Sequence, residues 1–153
     1  MRFAVGFVVV PLIVAGVARG ADVYVAPDGN DKNAGTLEKP FATVQRAQQA
    51  VNAGDTVWIR GGTYKMQESQ IAKIQGMYAY ITDLDKSGAS GKMINYFAYK
   101  NERPVFDCSA VKAEGHRIDA FYVTGSWLHF KGLEVTGVQV TIKEHTQSIC
   151  FAN

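Results

Sequence analysis

Trp127-Leu128-His129-Phe130-Lys131-Gly132-Leu133-Glu134-Val135 carries the pattern that decides the fold. Leu128 and Phe130 alternate with His129 and Lys131, the period-2 signature of a strand with one buried face. Past Gly132 the inward set becomes Leu133 and Val135, so one glycine resets the phase. A single-residue reset suits a bend between two strands that wrap a common core. Comparable strand starts fall at Ile94, Phe121 and Ile149, which sets recurrent steps of 27 and 28 residues. Such steps fit a coiled solenoid, where each circuit buries its inner face by stacking on the next. An antiparallel sandwich of short strands is the alternative that pattern alone leaves open.

The same reading extends along the chain. Asp22–Ala26, Asp55–Arg60, Thr63-Tyr64, Met93–Tyr99, Pro104–Cys108, Ala120–Thr124 and Ser148–Asn153 read as strands. Pro27 to Gly35 is dense in turn residues, whose side chains bond their own backbone or tolerate positive φ. Between Pro40 and Gly54 the period changes. Phe41, Val44, Ala47, Ala50 and Val51 recur at three- and four-residue steps, which predicts an amphipathic helix over 40–53. Placed just before the first full coil, it would cover the open end of the stack. The stretch from Lys65 to Lys92 is polar and irregular, and reads as an insertion or long loop. The expected class is therefore all-β, a right-handed parallel β-helix (single-stranded solenoid) with an N-terminal capping α-helix.

The N-terminus has a basic start, Met1-Arg2, then no charge from Phe3 to Ala18, then Ala18-Arg19-Gly20 ahead of Ala21. This is the layout of a secretory signal peptide over 1–20. Its 16 apolar residues fall short of the ~20 that span a bilayer. Residues 21–153 would then be the secreted part, extracellular or periplasmic, with no membrane association after cleavage. The full chain of 153 residues has 16 Lys+Arg and 14 Asp+Glu. Without Arg2 and Arg19 the two are equal, so no basic excess points to nucleic acid. With 20% charged and 47% hydrophobic residues, a disordered tail is excluded.

Few residues form a chemical motif. Asp83-Leu84-Asp85-Lys86-Ser87-Gly88 resembles the first half of a calcium loop, but Ile94 stands where a bidentate Glu would close it. In Asp28-Gly29-Asn30-Asp31, Lys32 and Asn33 stand where the loop wants a ligand and a glycine. Both are read as turns. His116, His129 and His145 have no metal-ligand spacing, and Ser126 and Ser148 lie in no nucleophile motif. Trp58, Arg60, Tyr122, His129 and Lys131 are expected to point out of the coil, where they could stack on sugar rings and pair with uronates. Cys108 and Cys150, 42 residues apart, are read as two packed thiols rather than a disulfide.

Four segments carry a family resemblance: Tyr24-Val25-Ala26-Pro27-Asp28-Gly29-Asn30-Asp31, Gly35-Thr36, Lys39-Pro40-Phe41-Ala42-Thr43-Val44-Gln45, and Ala53-Gly54-Asp55-Thr56-Val57-Trp58-Ile59-Arg60-Gly61-Gly62-Thr63-Tyr64. They resemble the opening of secreted right-handed β-helix proteins, and most of all the family-9 polysaccharide lyases, which cleave pectate or rhamnogalacturonan. Ile94-Asn95-Tyr96, Arg103-Pro104-Val105-Phe106-Asp107-Cys108-Ser109 and Trp127–Val135 fit the same family. The resemblance implies β-elimination on an acidic plant polysaccharide (pectin or rhamnogalacturonan). It also implies Ca²⁺ as cofactor, a lysine base and an aspartate cluster, both in coils beyond the first few. No residue of this chain inherits a catalytic or metal-binding role, and the substrate-binding residues stay unassigned. The chain is expected to be the cap and first coils of a longer solenoid, inactive by itself. A non-catalytic carbohydrate-binding or surface module, or a glycoside hydrolase on the same fold, are the other readings.

Overall fold

A computed structural model of the chain describes residues 20–112, 114–138 and 149–151. The chain winds through three sheets in turn. β1 (Asp22–Val25) and β2 (Thr56–Ile59) begin the first sheet, and β3 (Gly62–Lys65) begins the second. β4 (Lys73–Gln75) and β5 (Tyr78–Leu84) form the third. Two further circuits follow: β6 (Ile94–Ala98), β7 (Pro104–Asp107) and β8 (Arg117–Val123), then β9 (Leu128–Lys131), β10 (Glu134–Thr136) and β11 (Ile149–Phe151). The hydrogen-bonded orders are β1-β2-β6-β9, β3-β7-β10 and β4-β5-β8-β11, called sheets A, B and C. Every pairing between coils is parallel, and β4 with β5 is an antiparallel hairpin within one coil. An antiparallel sandwich is thereby excluded, and the solenoid stands.

The register corrects the expected repeat. In sheet A, Asp22 pairs with Thr56, Thr56 with Asn95 and Asn95 with His129, steps of 34, 39 and 34 residues. The 28-residue step from Phe121 to Ile149 is real. The 27-residue step from Ile94 to Phe121 is not, because Ile94 pairs with Leu128 in sheet A while Phe121 pairs with Thr82 in sheet C. Coils of unequal length stay in register because the excess residues leave through the turns.

Two further expectations change. The helix α1 runs from Val44 to Ala50, shorter than 40–53. Phe41 is instead in an extended segment bridged to Val25, and its N–H donates to the Tyr24 carbonyl at 2.9 Å. Thr43 is the N-cap, accepting the Arg46 N–H at 3.1 Å. The stretch 65–92 is no mere loop, since β5 within it is a seven-residue strand with Ala79, Tyr80, Ile81, Thr82 and Leu84 buried.

The core is built from like residues stacked coil upon coil. Tyr64 of β3 lies over Phe106 of β7 at 4.8 Å between ring centroids, and Tyr96 of β6 over Phe130 of β9 at 5.2 Å. Both separations follow from the ~4.8 Å between adjacent strands. Phe106 in turn meets Phe121 edge-on at 5.0 Å, joining sheets B and C. The α1 helix closes the N-terminal end: Val44 and Ala47 are buried. Gln48 Nε2 donates to the Asp83 carbonyl at 2.7 Å, and Gln45 Oε1 accepts the Asp83 N–H at 2.8 Å. These side-chain amides occupy backbone groups that a preceding coil would otherwise pair.

Candidate functional site

Alternation and register together place the outward side chains of sheet A in rows. Val57, Ile59, Ile94 and Tyr96 are fully buried, so Trp58, Asn95 and Phe97 face out. The pairings align Tyr24, Trp58, Phe97 and Lys131 in one row and Asp22, Thr56, Asn95 and His129 in the next. Trp58 meets Phe97 and Tyr99 edge-on, each at 6.0 Å, and Tyr24 meets Tyr99 at 5.8 Å. Phe97 meets His129 at 4.8 Å. The Trp58 indole N–H donates to Asp22 Oδ1 at 2.8 Å. At the turn beyond, Arg60 Nε donates to Glu102 Oε2 at 2.9 Å while the same carboxylate accepts the Gly61 N–H. That bonding to Arg60 holds the Glu102 carboxyl below its ordinary range. Between the row and the turn lies an open groove of about 800 Å³, reaching Lys100 and Lys131.

Four of the five outward residues expected from sequence, Trp58, Arg60, His129 and Lys131, therefore share one face. Tyr122 does not join them. It sits on sheet C, stacked on Tyr80 at 3.9 Å with Lys73 Nζ at 5.0 Å from its ring. Sheet C also carries the polar groups with the most constrained surroundings. Asp83 Oδ2 lies 3.9 Å from Lys73 Nζ. Asp119 is buried with Oδ2 unpartnered among the described residues. Burial, partly offset by Arg117, pushes its carboxyl up to about 6. Sequence reasoning missed Asp22, Tyr24, Phe97 and Tyr99 on sheet A. Tyr24, Phe97 and Tyr99 were visible as out-phase aromatics of β1 and β6, but only the register puts them beside Trp58.

Asp28-Gly29-Asn30-Asp31 lies in turns as read, but Asp83 and Leu84 are the last residues of strand β5, so the second calcium-loop look-alike is a strand end and not a turn. Asp31 Oδ1 accepts the Ala42 and Thr43 N–H groups at 2.8 and 2.9 Å, and Oδ2 accepts the Thr43 hydroxyl at 2.8 Å. Asn30 Oδ1 accepts the Lys32 N–H at 2.9 Å. Asp83 Oδ2 already faces the Lys73 ammonium at 3.9 Å, and Asp85 beside it is exposed. Calcium takes six to eight oxygens. Among the described residues no three His, Cys, Asp or Glu side chains gather around a common point. These residues do not fit a calcium ion.

His116 Nδ1 lies 3.0 Å from the Glu114 carbonyl oxygen, and His129 packs on Phe97. His145 and Ser148 lie outside the described residues, as do residues 1–19, where the export signal is expected. The Ser126 N–H donates to Ser87 Oγ at 3.0 Å, a corner contact. Cys108 is a fully buried free thiol. The backbone of Cys150 pairs with Tyr122 in sheet C, but its side chain lies outside the described residues.

Three stacked parallel sheets, closed by a helix and carrying their polar chemistry on outward faces, define a parallel β-helix protein. More narrowly, the chain belongs to the Pel9A-like right-handed β-helix family, whose model matches residues 23–151. Pectate lyase L of Dickeya dadantii is 35% identical over 125 residues, covering 81% of this chain and 28% of that protein. A solved rhamnogalacturonan lyase is similar with a TM-score of 0.79 and 47% identity, over 86% of this chain and 32% of that one. The structure of pectate lyase Pel9A is similar with a TM-score of 0.58 and 33% identity, over 77% of this chain and 28% of that one. The chain thus spans less than a third of the length of each of these proteins.

Proposed function

We propose that the chain forms the N-terminal cap and first coils of a lyase that cleaves pectic polysaccharide, pectate or rhamnogalacturonan, by β-elimination. The observation that carries this is the 47% identity and 0.79 TM-score with a rhamnogalacturonan lyase, supported by the pectate lyases among its relatives. β-Elimination from a uronate needs a base for the proton α to the carboxylate and a cation for the charge that develops. On this reading both belong to coils beyond those described, with Ca²⁺ as the cation. The described coils supply the rigid stack on which such a site is held. Residues 1–20 act as an export signal, and the protein works outside the cytoplasm.

The test is expression of the full reading frame and assay on polygalacturonate and on rhamnogalacturonan. Unsaturated product absorbing in the ultraviolet, lost on chelation, is expected. New reducing ends without unsaturation would make the protein a hydrolase and overturn the proposal. The 153-residue chain alone is expected to give no turnover. Turnover by that chain would move the active site into the coils described.

A further inference from the structure

The outer face of sheet A has features that the stacking of coils does not require. A solenoid needs its inward residues to pack, and its outward ones only to remain soluble. Here one outward row holds three aromatic rings, Tyr24, Trp58 and Phe97, on adjacent strands, and ends on Lys131. A fourth ring, Tyr99, stands against both Tyr24 and Trp58.

From these residues we infer that this face is a binding site for a uronate-bearing saccharide chain. The rings meet edge to face, at interplanar angles of 62°, 81° and 72°. They brace one another, and the Asp22 bond fixes the indole, so little side-chain freedom is lost when a ligand docks. The negative face of an aromatic ring attracts the weakly positive C–H face of a pyranose. Adjacent strands stand ~4.8 Å apart, close to the length of one sugar unit, so consecutive rungs meet consecutive sugars.

Charge selects the kind of sugar. Of the acids at the groove, Glu102 is neutralised by Arg60, while Asp22 holds the Trp58 N–H and keeps its charge, so Lys100 and Lys131 leave the face with a net positive charge of one. Lys100 and Lys131 are both exposed. Lys131 has no ion pair among the described residues, and Lys100 lies 4.9 Å from the Tyr99 ring centre. A cation ending the aromatic row at Lys131 and a second beside Tyr99 suit a chain with carboxylates along its length. Each exposed cation contributes only modestly, so the rings supply most of the binding and the lysines the preference for acidic sugars. The choice of a pectic uronate among acidic saccharides rests on the lyase reading.

Lysine footprinting tests the site on the protein at any chain length, because it reads each residue separately. The protein is acetylated with and without an oligomer of galacturonic acid, and with a neutral galactan oligomer. Labelling of Lys100 and Lys131 is expected to slow several-fold with the acidic oligomer alone. Lys92 and Lys112, exposed elsewhere, should label at unchanged rates. Trp58→Ala should abolish the protection. Should that variant fail to fold, Lys131→Glu, read at Lys100, should weaken it several-fold. Equal labelling of Lys100 and Lys131 with and without the acidic oligomer would overturn the inference. Unsaturated product together with unprotected lysines removes this site and leaves the lyase reading intact; protection without product does the reverse.

Discussion

Asp31 and Thr43 hold each other across eleven intervening residues: the Thr43 hydroxyl donates to Asp31 Oδ2 at 2.8 Å while its N–H donates to Oδ1. The same threonine caps α1 through the Arg46 N–H. One carboxylate thereby ties the turn-rich loop after β1 to the start of the capping helix.

Asp31→Ala should loosen that cap. It leaves three partly buried donors without their acceptor, and the expected loss is ~1–3 kcal/mol. A denaturant titration measures it. Asp31→Asn, which keeps one acceptor oxygen, should fall between the two. A midpoint unchanged in Asp31→Ala would show that the loop and helix are held by other contacts.

Tyr96→Phe is expected to be neutral or slightly stabilising. The Tyr96 ring is fully buried against Phe130, and its hydroxyl has no partner among the described residues. Removing an unsatisfied buried hydroxyl while keeping the ring removes a desolvation cost of ~1–3 kcal/mol. A clear drop in melting temperature would mean that the hydroxyl is hydrogen-bonded after all.

Asp119 should make stability depend on pH. Its folded value of about 6 lies above the ~3.9 of an unfolded aspartate. Its contribution is therefore fully present below about pH 4 and is lost as pH rises through about 6. Asp119→Asn should flatten this fall, and at pH 8 it should be the more stable form by ~1–2 kcal/mol. Arg117 on the same strand opposes the shift, so Arg117→Gln should steepen the dependence. Parallel pH curves for wild type and Asp119→Asn would assign the effect elsewhere.

Cys108 should resist alkylation in the folded protein. It is fully buried, and burial pushes its thiol up to about 11, so both access and thiolate are scarce. Mass spectrometry is expected to show labelling at Cys108 only as denaturant unfolds the chain. Rapid labelling without denaturant would mean that sheet B opens locally around β7.

Legibility in the sequence followed the physics of burial. Leu128 and Phe130 against His129 and Lys131 could be read because β9 is half-buried, one face in the core and the other in water. β5 could not. It is buried on both sides, with Ala79, Ile81 and Leu84 in the core and Tyr80 under the Tyr122 ring, so period-2 alternation disappears. Phe41 was drawn into the helix by its spacing to Val44, yet a backbone bond to Tyr24 keeps it extended, and no local pattern encodes a partner that distant. The sheet A face was half legible for the same reason. Trp58 and Lys131 were visible as outward residues, but their neighbours are set by register, and the register depends on unequal coil lengths.

Those unequal coils also shape how the molecule is made. Each rung of sheet A joins residues 34 to 39 positions apart, and the helix that closes the stack contacts β1, β2 and β5. Once the first circuit through β5 is in place, the lid and first template precede the later rungs in the chain. Each new circuit finds its docking edge already formed, in the N-terminal-first order of synthesis. Assembly can then proceed stepwise from that end, each strand searching for a partner one circuit back and no farther.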